Sequence, residues 1–368
     1  MNAFCAGLLT FLFLLGASGR SSAAGFGPVA VYPADNNPVF ATADDFNHDG
    51  IADLVVVNSL SNDVSVLLGN PAGGYQPAVN YGVGSSPTGM AVEDFNGDGN
   101  LDLAIANSGS NNMSILIGNS DGTFQSAVQY SVGTGVSPSG ILWSIFTGSG
   151  HVDLAVANAA GGTSNKGNVA IFLGNGDGTF QAAKNYDTLG SGPVALASFD
   201  FNSDGNPDIA LANSGSNSVS ILFGDGKGGF TGSGDYPAGT APASITVWGL
   251  SFSLAVANPP SSDITVLDNT GGGKFSHSTA YAIGAMPVFI GAGIFNQGSL
   301  QGLVTANTNN TVSVLLGRRG KPPLRKPVNF ATCNSPKSVV GVDVNFDGKE
   351  DLVLACSNGV GVMLNTGP

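Results

Sequence analysis

Hydrophobic residues along this chain come in short blocks that recur at a nearly constant spacing. An apolar run ends in Asn at positions 58, 107, 158, 213, 258 and 307, with Cys356 at the seventh such point. An alternating run follows each time: Val64-Ser65-Val66-Leu67-Leu68-Gly69, Met113 to Gly118, Val169 to Gly174, Val219 to Gly224, Ile264 to Asn269, Val312 to Gly317 and Val360 to Asn365. Period-two alternation predicts strands. A glycine-rich turn such as Asn175-Gly176-Asp177-Gly178 then leads to a polar strand such as Gln181 to Tyr186.

Rows that begin at Pro38, Pro87, Pro138, Pro193, Pro242, Pro287 and Pro336 bring these features into register, at intervals of 49, 51, 55, 49, 45 and 49. Each unit supplies four strands, A to D, and four short strands in about 50 residues make a propeller blade. The last unit stops after its third strand, while Gly27 to Tyr32 resembles the fourth strands found elsewhere. The expectation is an all-β, seven-bladed β-propeller over residues 25–368, with the N-terminal strand completing the last blade. Closure by the chain's own ends removes two open sheet edges at once. Composition agrees, since 55 Gly and 19 Pro in 368 residues are rich in turn formers and a 42% hydrophobic share is ample for a core.

Residues 1–24 differ from the rest: an apolar run from Ala3 to Leu15, then small residues ending in Ser22-Ala23-Ala24, read as a secretory signal peptide. A secreted or extracytoplasmic protein is expected, and no later segment approaches the roughly 20 apolar residues of a spanning helix. Without Arg20 the remainder carries 11 basic against 25 acidic residues, a net charge of −14. That balance argues against nucleic acid and points to cations or neutral surfaces as partners.

The acidic residues are concentrated between strands A and B. Asp45-Phe46-Asn47-His48-Asp49-Gly50-Ile51-Ala52-Asp53 has the form Asp-x-Asn-x-Asp-Gly-x-x-Asp, which returns at Asp94 to Asp102, Asp200 to Asp208 and Asp343 to Asp351. The side-chain donors would be Asp45, Asn47, Asp49 and Asp53; Asp94, Asn96, Asp98 and Asp102; Asp200, Asn202, Asp204 and Asp208; and Asp343, Asn345, Asp347 and Asp351. Ile51, Asn100, Asn206 and Lys349 would add backbone carbonyls, with the last Asp able to ligate through both oxygens. Oxygen-only ligands on a flexible loop favour Ca²⁺ over Mg²⁺ or Zn²⁺, so about four calcium sites are expected, saturating at roughly 10⁻⁴ to 10⁻³ M. Three units depart: Ile145 to Asp153 keeps only the final Asp, Ile294 to Gly302 keeps only Asn296, and the fifth unit shortens the loop. No metal is expected there.

At these residues the sequence resembles the FG-GAP, or VCBS, repeat family of integrin α-subunit heads and many exported bacterial proteins. The resemblance runs from Gly25 to Pro368, with the four acidic loops as its specific part. It implies a seven-bladed propeller with Ca²⁺ in the A-to-B loops of one face and ligand recognition mostly on the other. It implies no enzyme activity, and similar propellers include fungal lectins and modules attached to polysaccharide-degrading enzymes.

Other signals reduce to turns. Gly118-Asn119-Ser120-Asp121-Gly122 spells a nucleophile elbow but joins two strands, and Gly224, Gly226 and Gly229 likewise lack the helix that a dinucleotide site needs. His48, His151 and His277 lie in different units. Cys333 and Cys356 fall on one face of the last unit, where a disulfide is expected, the alternative being two separate buried thiols. Arg318, Arg319, Lys321, Arg325 and Lys326 form a basic turn, read as a solvated hairpin end, and the long loop Ala159 to Asn168 is the first choice for a contact surface. The functional expectation is a monomeric, calcium-stabilised binding or adhesion module whose protein or carbohydrate ligand sits opposite the calcium loops. A lectin-like propeller would show repeated aromatic-plus-polar pockets between blades, for which Trp143 and Trp248 are few, and a polysaccharide-acting enzyme is a weaker alternative.

Overall fold

A computed structural model describes residues 25–134, 136–162, 166–249, 251–296, 300–319 and 323–367, with only the backbone at 277 and 278. The expected signal segment 1–24 lies outside these residues. β2 (Pro38–Asp44), β3 (Asp53–Asn58), β4 (Asp63–Leu67) and β5 (Val79–Gly82) pair in sequence order as the first antiparallel blade. β6 to β25 repeat that order through blades two to six, between Pro87 and Ala331. In the seventh, β26 (Ser338–Val342), β27 (Asp351–Cys356) and β28 (Gly359–Met363) are completed by β1 (Ala30–Tyr32), with Ala30 opposite Val362 and Tyr32 opposite Val360. The ring therefore closes through the N-terminal strand. The described residues contain no helix.

The outer strands are shorter than the sequence suggests in four blades. In the third, pairing begins at Lys184 rather than Gln181, and Phe180 is held by an isolated bridge to Gly174.

The core is divided among the seven blade interfaces. Each apolar cluster joins residues of two adjacent blades, as Val55, Val57 and Phe46 join Leu103, Ile105 and Phe124. Strand B is buried on both faces, which explains its continuous apolar run. Its alternate residues also differ in size. Leu103 and Ile105 face the preceding blade, and Ala104 and Ala106 face the following one. Leu154 and Val156 against Ala155 and Ala157, and Ile209 and Leu211 against Ala210 and Ala212, repeat the rule. Small residues on the forward side leave room for large ones from the next sheet.

Aromatic side chains lock these interfaces. Phe124 of blade two meets Phe46 and Tyr81 of blade one edge to face, at centroid distances of 5.9 and 5.5 Å. Phe180 meets Phe95 and Tyr130, Phe230 meets Phe146 and Tyr186, and Phe275 meets Phe201 and Tyr236 in the same way. Phe26 brings Phe295 and Phe330 into the seventh blade's side of the ring. Such pairs add about 0.5–1.5 kcal/mol each beyond the apolar area they bury.

The Asn at the end of strand B ties down the following hairpin. Asn58, Asn107, Asn213, Asn258 and Asn307 donate from Nδ2 to Ser65, Ser114, Ser220, Thr265 and Ser313 at 2.7–2.9 Å. Blade seven substitutes a covalent tie, the Cys333–Cys356 disulfide, with Cα atoms 5.9 Å apart. Replacing both cysteines by Ala is expected to lower stability by about 3 kcal/mol, from a closed loop of roughly 24 residues. Denaturant unfolding of the oxidised protein against the double variant measures it, and equal stabilities would refute the tie.

Candidate functional site

Loops between strands A and B emerge on the same face as the C-to-D turns. In the first, Asp45 Oδ1 accepts the Asp49 N–H at 3.0 Å and Oδ2 accepts the Gly50 N–H at 2.9 Å. Asn47 Oδ1 accepts the Asp49 N–H at 3.0 Å, its Nδ2 donates to Asp49 Oδ2 at 3.1 Å, and Asp49 Oδ1 accepts the Ile51 N–H at 2.8 Å. The chain is thus wound around its first carboxylate. Asp94, Asp200 and Asp343 repeat the contact with Gly99, Gly205 and Gly348 at 2.8 Å each. Asp98, Asp204 and Asp347 accept the N–H of Asn100, Asn206 and Lys349, and Asn96, Asn202 and Asn345 accept that of Asp98, Asp204 and Asp347. Left-handed backbone at His48, Gly97, Ser203 and Phe346, and again at the glycine two residues on, makes the reversal.

The last Asp of the motif has a different environment. Asp53 is fully buried, with Oδ2 accepting the Phe46 N–H at 3.0 Å and Oδ1 accepting the Gly69 N–H at 2.7 Å. It joins the loop to the far end of strand C. Asp102 does this with Phe95 and Gly118, Asp208 with Phe201 and Gly224, and Asp351 with Val344 and Asn365. Asp153 does it too, accepting from Phe146 and Gly174 at 2.9 Å each, in a blade that lacks every other acidic loop position. The clamp is therefore independent of a cation. Burial, with smaller contributions from the loop carboxylates, holds Asp53, Asp102 and Asp208 up at about 6, and it raises Asp153 and Asp351 as well.

The oxygen donors at positions 1, 3 and 5 share one exposed turn, a donor chemistry that fits a hard cation. Among the described residues, no group of three or more His, Cys, Asp or Glu is gathered as a metal cage. Direct contacts to the next blade are also made where the acidic loop is missing. Gly148 donates to the Gly226 carbonyl at 3.2 Å. Trp248 Nε1 donates to the Gln301 carbonyl at 3.0 Å and the Gly249 N–H to Gln301 Oε1 at 2.9 Å. The Ile294 N–H donates to Glu350 Oε2 at 3.0 Å, and burial raises the Glu350 carboxyl.

The remaining sequence signals are distributed without convergence. His48 is exposed and lies 3.2 Å from Asn100 Oδ1 in the next acidic loop. Both glycine motifs are hairpin turns between strands C and D. Trp248 is buried and Trp143 half-buried, so neither is an open platform. Residues 163–165 of the Ala159 to Asn168 loop, residues 320–322 of the basic turn, including Lys321, and the His277 side chain lie outside the described set. Among the described residues, no helix is long and apolar enough to cross a membrane.

Asp153→Asn is expected to destabilise the protein in EDTA by about 1–3 kcal/mol, because an amide group would face a buried N–H, and Asp102→Asn by a similar amount. Urea unfolding checks this, and an Asp153→Asn variant as stable as wild type would refute a metal-independent clamp. The raised carboxyls also set a pH dependence. Between about 3.8 and about 6 the folded state binds protons that the unfolded state releases, so metal-free protein should gain stability as pH falls through that window and lose it as pH rises through about 6. Melting curves in EDTA across this window test the sign.

Comparison with known proteins finds repeats and folds of the same kind. Residues 45–105, 94–144 and 146–211 match the FG-GAP-like repeat. No curated protein sequence matches significantly. Among solved structures, BBS1N in complex with ARL6DN aligns with a TM-score of 0.63 at 14% identity, covering 94% of this chain and 97% of that one. Streptogramin B lyase aligns with a TM-score of 0.63 at 17% identity over 92% and 97%. The periplasmic gluconolactonase PpgL of Pseudomonas aeruginosa aligns with a TM-score of 0.59 at 15% identity over 85% and 87%. At these identities the likeness is one of fold. FG-GAP-like repeats within residues 45–211 and the seven-bladed ring of four-stranded sheets together support an FG-GAP repeat propeller family for this chain.

Proposed function

We propose that this propeller is an exported binding module whose acidic loops hold structural Ca²⁺ and whose opposite face, built from the B-to-C and D-to-A connections, receives a partner. The observation that carries the reading is the position of the loops at blade interfaces. Gly178 of the third blade donates to the Phe95 carbonyl at 3.1 Å, and Gly273 of the fifth donates to the Phe201 carbonyl at 2.9 Å. A loop stiffened at such a point braces two sheets. Bound calcium would supply charge neutralisation there, held by Asp45, Asn47, Asp49 and their counterparts, with the backbone carbonyls of Ile51, Asn100, Asn206 and Lys349. Protein recognition is compatible with the fold, since the similar BBS1N propeller was solved with ARL6DN. No enzyme activity is part of the proposal.

Native mass spectrometry at millimolar calcium is expected to find up to four ions on the wild-type chain and one fewer on Asp98→Ala. The calcium-dependent rise in melting temperature should shrink in that variant. No bound ion, or an unchanged ion count in Asp98→Ala, would reject calcium at that loop.

A further inference from the structure

The acidic loops of blades one and two are neighbours on the ring, and a side chain of the first reaches the second. His48 stands between Asn47 and Asp49, with its backbone in the left-handed region at a φ of 59°. Its Nε2 lies 3.2 Å from Asn100 Oδ1 of the next loop. An amide oxygen only accepts, so the shared hydrogen is the one on the ring nitrogen. The Asn100 side chain also hydrogen-bonds the Asp98 carboxylate, and the Asn100 N–H donates to Asp98 Oδ1 at 2.8 Å. Polar contacts therefore run without a break from the oxygen donors of one loop to a donor of the next.

The other acidic loops differ at this position. It holds Gly97 in blade two and Phe346 in blade seven, neither with a polar side-chain atom, and Ser203 in blade four, whose successor has no acidic loop. Packing of the next blade against a loop is, by contrast, shared. A Cβ on Gly122 would come within 3.2 Å of Asn47 Cβ, and one on Gly178 or Gly273 within 3.4 Å of Asn96 or Asn202 Cβ. The loop of blade seven also adjoins that of blade one, so this pair has proximity without a histidine between its members.

Where the His48 ring meets Asn100 depends on the backbone from Asn47 to Asp49, which Asp45 and Asn47 hold through the Asp49 N–H. A cation drawing Asp45, Asn47 and Asp49 together fixes that backbone, and one ordering Asp98 fixes Asn100 from the other side. We propose that His48 couples the acidic loops of blades one and two, so that a cation at either raises the affinity of the other, while the loop of blade four binds alone. The inference rests on the calcium reading and gives those sites a regulation. One hydrogen bond limits the coupling to roughly two- to tenfold. Repulsion between bound ions acts with the opposite sign, and the blade-seven loop, a neighbour without the histidine, measures it separately.

Calcium titrations of the full chain, followed by NMR at about 0.15 M salt, test it through the amides of Gly50, Gly99 and Gly205, each of which donates to the first carboxylate of its loop. Asp98→Ala is expected to weaken calcium binding at Gly50 by roughly two- to tenfold and to leave Gly205 unchanged. Asp347→Ala should not weaken it. In a His48→Gly background, which gives loop one the residue that Gly97 supplies in loop two, Asp98→Ala should no longer affect Gly50. No effect of Asp98→Ala on Gly50, an effect that persists in His48→Gly, or an equal loss in Asp347→Ala overturns the coupling and leaves the calcium reading intact. No response of any of the three amides at millimolar calcium overturns both.

Discussion

No blade of this ring can cover its own faces, so the structure depends on the bulky apolar side chain that each sends into the blade before, an aromatic ring in all but the sixth, which inserts Leu324. Phe124, Phe180, Phe230 and Phe275 leave their own sheets at the C-to-D turn and fill the space between a loop aromatic and an outer-strand tyrosine of the blade before. The buried Asp at the start of strand B belongs to the same device. By accepting the N–H of Phe46, Phe95, Phe146 or Phe201, it holds the receiving ring in place and ties the loop to the end of strand C. Interface packing, hydrogen bonding and loop shape are therefore one unit at the interfaces that join blades one to five.

That unit explains why the acidic loops can come and go. Blade three has lost the oxygen donors yet keeps Phe146, Asp153 and the Phe230 contact. Blades five and six, which lack the final Asp, are joined to their successors through Gln301 and Glu350. The ring is asymmetric as a result: the seventh, first and second blades carry consecutive acidic loops and the fourth carries one alone. A cation at those loops would reinforce a contact that the aromatic clasp already makes, consistent with a bracing role.

The seam carries a different constraint. Because β1 comes from the opposite end of the chain, the last blade is held by Phe26, by the ladder between β1 and β28, and by the Cys333–Cys356 bond. Between the seventh and first blades the clasp is Tyr75 against Tyr32, and Val344 stands where earlier loops carry phenylalanine. At the interfaces joining blades one to five the corresponding space is filled by phenylalanine, and between blades five and six by Trp248 and Leu324.

Much of this architecture was legible in the chain because each unit repeats a two-residue alternation, a turn and an acidic loop with nearly constant spacing. The number of blades, the strand order and closure by Ala30 to Tyr32 follow from that periodicity, and the oxygen-rich loops follow from residue type alone. The second role of the final Asp did not stand out, although Asp153, retained where its acidic companions are lost, was the available signal. Its meaning depends on Gly174, 21 residues away, whose N–H reaches the carboxylate only when strand C folds back. The seam was hidden for a similar reason. Tyr75 and Val344 are far apart in sequence and look like unrelated substitutions until the ring brings the first and last blades together. Sequence thus determined what each blade is, since that rests on local pattern, whereas only tertiary structure decided what adjoining blades do to each other, since those contacts join residues whose separation the repeat does not encode.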